Sequence, residues 1–486
     1  MKVRSIKTNY FLNMLRVGLG TLVGLFTMPY INRVLGAESL GKVEYIYSVV
    51  SYFVLFSALG VPMYGIREVA KIREDEAGRT KLVVELLTIL GVTTVISYAF
   101  IFGIILNLDH FKDSRDLIVL MSTIILFGNL GVEWFYQGME NQLYITVRYI
   151  IIRIITLVLL FVLVKSSEDY IYYGFIVVLT TVGGNLFNIF YLRKHINLSL
   201  VNFKKLQIKR HIKPILTIFV ATVSVSIYLQ LDNIMLGSIG GEKAVGYYAV
   251  ANKLIRFIIL FITTLGAVML PRLSNLITTD KSLYLQYAQK SINYILIIAI
   301  PFTLLFILMA KDFTLLMAGK EFLPSVLTMQ LLSPVIIIVG IAYFIGFLIL
   351  YPQGKEKIYT VATIFSAVLS IILNIFIIPR YLHNGTAVVA VLSELIGIIV
   401  MLYLGRKQLI EIDFFGKSIR LYIIASLFMA GAVFFTNTIL SDLPLLISVV
   451  VKMGVGLTLF FGLLLVIKEQ IVIEILQMLK KALNIK

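Results

Sequence analysis

The chain has 486 residues, 59% of them hydrophobic, with a mean hydropathy of +0.96 and a formal net charge of +17. Soluble domains sit nearer 45–50% apolar, and here the apolar residues run for twenty or more at a stretch, the length a bilayer crossing needs. That excludes a soluble enzyme. The basic residues fall in alternate loops and form no stripe, which excludes a nucleic-acid interface. Absence of cysteine excludes a disulfide frame and thiolate chemistry. The four histidines, His110, His195, His211 and His383, are scattered, so no metal or other cofactor is expected.

The apolar runs predict an all-α polytopic membrane protein with fourteen spans, at 9–34, 41–66, 81–107, 115–138, 142–164, 170–192, 212–238, 244–270, 290–310, 323–350, 358–379, 386–405, 418–438 and 444–467. The first span is too long for a signal peptide and contains Asn13 and Pro29, so it reads as a retained helix. With the N-terminus inside, 29 of the 43 Lys and Arg fall in cytoplasmic segments and 9 in outer ones, which predicts that both termini are cytoplasmic. The tail has Ile471, Ile475, Leu479 and Leu483 at helical spacing beside Lys480 and Lys481, as in a helix lying on the inner membrane surface.

The chain repeats itself. Gln137-Gly138 maps onto Gln353-Gly354 at a spacing of 216, the stretch from Val178 to Lys194 onto that from Val391 to Lys407 at 213, and Leu35-Gly36 onto Leu236-Gly237 at 201. Six spans separate the copies, an even number, so both have the same orientation in the membrane. The expected organisation is an N-lobe at 1–205 (spans one to six), a C-lobe at 206–416 (spans seven to twelve), two extra spans at 417–467 and an amphipathic cytoplasmic tail at 468–486.

Eight ionisable residues read as intramembrane charges: Arg16, Glu133, Arg153, Asp232, Lys253, Arg256, Glu394 and Lys452. At roughly 2.5–3.5 kcal/mol each, they cost on the order of 20–28 kcal/mol gross, tolerable only where they face one another or a wet cavity. Arg16 and Glu133 could instead snorkel to water near the inner end, and Asp232 and Lys253 could form a structural bridge. Arg153 and Arg256 lie too deep for easy snorkelling, and Lys253 shares a helix face with Arg256 at i, i+3. Five basic against three acidic residues suit an anionic ligand. Arg binds phosphate through a planar fork that never deprotonates. Arg16, Arg153, Lys253 and Arg256 are therefore the candidate anion-binding residues, with Glu133, Asp232 and Glu394 as candidates for ion coupling or charge pairing.

Four stretches carry a family resemblance: Asn32 to Gly36; Gly60-Val61-Pro62 with Arg67-Glu68; Glu133-Trp134-Phe135-Tyr136-Gln137-Gly138; and Leu231 to Gly237 continuing through Val245 to Tyr248. In order and spacing they resemble the Wzx-type polysaccharide repeat-unit flippases of the multidrug/oligosaccharidyl-lipid/polysaccharide exporter superfamily. The resemblance implies two six-helix lobes around a central cavity, and an undecaprenyl-diphosphate-linked oligosaccharide moved from the cytoplasmic to the outer leaflet of a bacterial cytoplasmic membrane. It also implies polysaccharide polymerase machinery as a partner. In the related lipid II flippases, arginines on the first and eighth helices contact the diphosphate; Arg16 and Arg256 lie on those helices here. A drug or cation exporter of the same superfamily is the nearest rival, but such proteins typically place an acid in the first lobe, often on helix one, where this chain has Arg16. A membrane enzyme of polysaccharide assembly is the other rival. It would need large outer loops with paired carboxylates or a nucleophile and base, and the outer loops here are short.

Overall fold

The computed structural model describes residues 6–482 except 410, 415 and 440–442. The basic stretch through Ser5, Leu483 and the side chains of Leu479 and Lys481 lie outside the described residues. The described secondary structure is helical throughout, and eleven helical stretches among the described residues are long and apolar enough to cross a membrane. Two of the eleven are double. Leu12–Lys71 is broken at Gly36 (φ 71°, ψ 177°), and Glu356–Leu404 is broken at Leu382 (φ 47°, ψ −132°). The chain divides into two compact units, Met1–Gly246 and Tyr247–Lys486.

In the first unit, α1 (Ile6–Ala58) packs on α3 (Glu76–Gly103), α4 (Arg115–Leu130), α6 (Gln142–Leu163) and α8 (Lys209–Gly240), while α7 (Tyr170–Leu192) packs on α4 and α6. Short amphipathic α2 (Val61–Lys71) lies against α5 (Glu133–Gly138). Two sequence-derived spans stop short of their expected ends. The span expected at 41–66 ends at Ala58, where Leu59 turns left-handed (φ 47°), and α2 begins separately with Pro62 in its first turn. The span expected at 115–138 ends at Leu130; Val132 (φ 39°) breaks the helix and α5 restarts at Glu133. Glu133 therefore opens a helix instead of sitting inside one.

The polar turn at 137–141 is also shorter than expected, because Gln137 and Gly138 still belong to α5. The chain then closes through a left-handed Glu140 (φ 54°), with Glu140 N–H donating to Gln137 O (3.0 Å) and Asn141 N–H to Tyr136 O (3.0 Å). In the second unit the same pattern recurs with Gly354 (φ 67°): Gly354 N–H donates to Tyr351 O (3.0 Å) and Lys355 N–H to Leu350 O (2.9 Å). The hydrogen bonds thus repeat at 214, not at the 216 suggested by the paired Gln-Gly. The span-separating glycines behave alike. Gly241 (φ 86°, ψ 166°) adopts the conformation of Gly36, a spacing of 205, whereas Gly237 stays helical against Tyr45.

The second unit is built from the rest of α9 (Glu242–Thr279), α10 (Lys281–Leu308), α11 (Ala310–Met317), α12 (Ser325–Leu332), α13 (Val335–Tyr343), α14 (Glu356–Leu404), α15 (Arg406–Leu409), α16 (Lys417–Ile439), α17 (Leu445–Val466) and α18 (Gln470–Ala482). A π-helical turn, Phe344–Leu350, follows α13. Within this unit α10 packs on α13 and α16, and α16 on α17. The tail stripe is helical as expected, and α18 is tied down: Glu474 accepts from Lys290 Nζ (2.7 Å) and Tyr294 Oη (3.3 Å), and Ile471 and Val472 are buried.

Candidate functional site

The charges of the first unit converge where α1, α5, α6 and α7 meet. The left-handed Val132 re-aims the chain so that the Glu133 carboxylate faces two arginines. Arg148 Nη2 donates to Glu133 Oε2 at 2.6 Å, and Arg16 Nη1 to Glu133 Oε1 at 3.3 Å. Gln137, one turn along α5, adds its amide to Oε1 (3.3 Å). The two ion pairs differ in kind. Arg148 is 7% exposed and also reaches Gly184 O (3.2 Å) and Asn185 Oδ1 (3.5 Å) on α7. Arg16 keeps 23% of its side chain exposed and is steadied by Asn13 Oδ1 (3.0 Å) on its own helix. A turn beyond Arg148, Arg153 Nη2 donates to Gly20 O on α1 (2.9 Å). Tyr149 lies between Arg16 and Arg153, within 6.0 Å and 5.8 Å of their guanidinium carbons. Gly20 is needed here, since a Cβ would lie 2.0 Å from Tyr149 Oη. Three guanidinium groups, two of them on Glu133 and the third on Gly20 O, against one carboxylate leave the cluster at net +2.

Phe135, Tyr136, Tyr144, Tyr191 and His195 pack ring on ring beside the cluster, with Tyr144 5.8 Å from the Arg148 guanidinium carbon. Burial, with Arg79 nearby, holds the His195 imidazole below its ordinary value. A second ionic group lies apart from this one. Glu85, fully buried, accepts from Gln207 N–H (2.6 Å), Arg210 Nη2 (2.9 Å) and His211 Nε2 (2.8 Å), and His211 Nδ1 meets Tyr64 Oη (2.7 Å).

The remaining sequence candidates lie on other helices. Asp232 is buried in the first unit, whereas Lys253 and Arg256 are exposed on α9 in the second, with Arg256 Nε donating to Asn252 Oδ1 (3.0 Å). Glu394 is half-buried on α14. Lys452, 7% exposed, pairs with Asp312 at 2.7 Å, so the charge on α17 is compensated within its own unit by α11. Among the described residues no three His, Cys, Asp or Glu side chains come together as a metal site.

Arg148 and Glu85 were missed. Arg148 falls near the cytoplasmic end of the span expected at 142–164 and was not counted among the intramembrane charges, but it lies six residues inside α6, about 9 Å along the axis. Glu85 sits within the third predicted span without standing out as a ninth intramembrane charge. For Arg148, its five-residue spacing from Arg153 was the available signal, because it places both on the same apolar stretch.

A family described as "Polysaccharide biosynthesis protein" matches residues 6–277, and one described as "Lipid II flippase MurJ" matches residues 149–454. An Escherichia coli (strain K12) protein described as an O-antigen transporter is 21% identical over 393 residues, covering 80% of this chain and 94% of its own. Two solved structures share the fold, each at 16% sequence identity. A lipid II flippase MurJ in an inward closed conformation covers 94% of this chain and 100% of its own at a TM-score of 0.73. An inward-facing multidrug resistance MATE family transporter covers 85% and 96% at 0.63. The chain is a multi-pass membrane protein that belongs to the polysaccharide biosynthesis protein family, among the Wzx-type flippases of the multidrug/oligosaccharidyl-lipid/polysaccharide exporter superfamily.

Proposed function

We propose that the protein carries undecaprenyl-diphosphate-linked oligosaccharide repeat units from the cytoplasmic to the outer leaflet of a bacterial cytoplasmic membrane, by alternating access through a cationic cavity. The proposal includes fourteen spans, two six-helix lobes at 1–205 and 206–416, two extra helices and both termini in the cytoplasm. One observation carries it: the Arg148–Glu133 pair is short and its arginine is buried, while Arg16 is held to the same carboxylate only at 3.3 Å and stays partly exposed. Arg148 neutralises Glu133, so a diphosphate can take Arg16 without leaving the carboxylate unpaired. Arg153 would extend the phosphate contacts from the first lobe, and Lys253 with Arg256 would supply them from the second.

The cation-exporter reading needs a free acid in the first lobe. Glu133 is the first-lobe acid that the sequence singles out, and two arginines hold it. The enzyme reading has no support from the relatives, which are described as transporters and flippases. The substrate's diphosphate carries about two negative charges. Exporting them from an electrically negative interior gains roughly 4–5 kcal/mol per 100 mV, so the membrane potential alone drives net flipping, and coupling through Glu133 or Glu394 is at most an addition. Deletion of the gene, complemented by defined repeat-unit pathways, tests the assignment. Lipid-linked repeat units should accumulate in the cytoplasmic leaflet, and their normal appearance in the outer leaflet would overturn it.

A further inference from the structure

The segment joining α7 to α8 is fastened down by one set of residues and presents another. Asn197 N–H donates to Thr80 Oγ1 (3.1 Å), and Gln207, Arg210 and His211 all converge on buried Glu85. A carboxylate with no exposure and three donors is a rigid anchor, because freeing any donor leaves charge buried without compensation. None of this uses Lys204, Lys205, Lys209 or Lys213, which are exposed and form no ion pair with any described residue. Between and beyond these lysines, large apolar side chains are turned outward: Leu198 is 55% exposed, Phe203 62% and Val220 66%.

On α8 the pattern continues as an open helix face, on which Lys209, Ile212, Lys213, Leu216, Thr217 and Val220 are all exposed. Their spacing places them on one side of the helix. Lys209 and Lys213 lie one turn apart at the start of α8, and the face turns apolar along Leu216 and Val220. This is the profile of a phospholipid, with an anionic head at the lysines and acyl chain along Leu216 and Val220.

We infer that this helix face is a binding site for an anionic phospholipid of the cytoplasmic leaflet, with Lys209 and Lys213 as the phosphate ligands and the Glu85 anchor as the device that holds them in place. The inference uses the membrane orientation proposed above and is independent of the transported substrate. A phosphatidylcholine head, carrying its own cation, would gain nothing from the lysines.

The test is native mass spectrometry of the full chain, purified in detergent and titrated with phosphatidylglycerol or phosphatidylcholine. Each lysine near the headgroup should strengthen anionic-lipid binding about fivefold. Lys209→Gln with Lys213→Gln should therefore lower phosphatidylglycerol affinity about 25-fold and leave phosphatidylcholine binding unchanged. Lys209→Arg with Lys213→Arg should retain the preference, which separates loss of charge from misfolding. An unchanged preference in the glutamine pair, or an equal loss in the arginine pair, would overturn the assignment. Displacement of phosphatidylglycerol from the wild type by equimolar polyprenyl diphosphate, absent in the glutamine pair, would also overturn it, by making this face a substrate site.

Discussion

Arg148→Met probes how the charge cluster works. Arg148 is 7% exposed and donates to Glu133 Oε2 at 2.6 Å, so its loss breaks a largely buried ion pair. Such losses cost about 3–5 kcal/mol when the remaining charge is stranded. Glu133 keeps 32% of its side chain exposed and retains Arg16, so the expected loss of stability is smaller, about 2–3 kcal/mol. The second effect falls on binding. With Arg148 gone the carboxylate has only Arg16 to pair with, the 3.3 Å contact tightens, and Arg16 is withdrawn from an incoming phosphate. Adding Glu133→Gln strands no carboxylate and releases Arg16, which keeps its Asn13 contact and its partial exposure. The double variant should recover to within about 1 kcal/mol of the wild type and should bind a short-chain polyprenyl diphosphate at least as well. The assay is denaturation in detergent combined with calorimetric titration of that lipid. A double variant as impaired as the single one in both measurements would refute the argument and move the role of Arg148 to its Gly184 and Asn185 contacts.

Arg153→Ala and Arg256→Ala should each abolish surface polysaccharide while the protein remains in the membrane; immunoblots of membrane fractions check the second half, and full polysaccharide with either variant would remove that arginine from the site. Lys452→Met strands Asp312 in a pair that is 7% and 19% exposed and should lower stability by about 3 kcal/mol, whereas Lys452→Met with Asp312→Asn should be milder; equal thermal shifts would mean that the pair contributes nothing specific. Gly41→Ala should destabilise by up to about 3 kcal/mol through overpacking. A Cβ at Gly41 would lie 1.8 Å from Glu242 O, and one at Gly246 1.9 Å from Ala37 O, both against backbone that cannot swing away. Wild-type thermal stability for Gly41→Ala would contradict that close approach.

Most of the membrane spans were legible because twenty apolar residues in a row have few other uses. Their breaks were not. Leu59, Val132 and Leu382 all take a left-handed conformation that branched or bulky residues rarely adopt, so nothing in their identity announces a turn. The repeat was visible but its register was not. The eye pairs Gln-Gly with Gln-Gly, whereas the backbone pairs Glu140 with Gly354, because the left-handed residue that closes the helix is set by hydrogen bonds and not by residue type. The same limit hid one of the four charges in the cluster. Arg16, Glu133 and Arg153 stood out as charges in apolar runs, but Arg148 stood at a boundary where arginine is ordinary, and only its 2.6 Å contact shows that it is the partner that neutralises Glu133.

The most direct test of the account uses proteoliposomes carrying lipid-linked oligosaccharide, with a potassium diffusion potential set by valinomycin and no proton or sodium gradient. If a net positive site hands a diphosphate across the membrane, a potential negative on the cytoplasmic side should drive the lipid toward the opposite leaflet, and Arg16→Ala should stop it. An unchanged leaflet distribution under the potential, with a shift appearing only when a proton or sodium gradient is imposed, would contradict it.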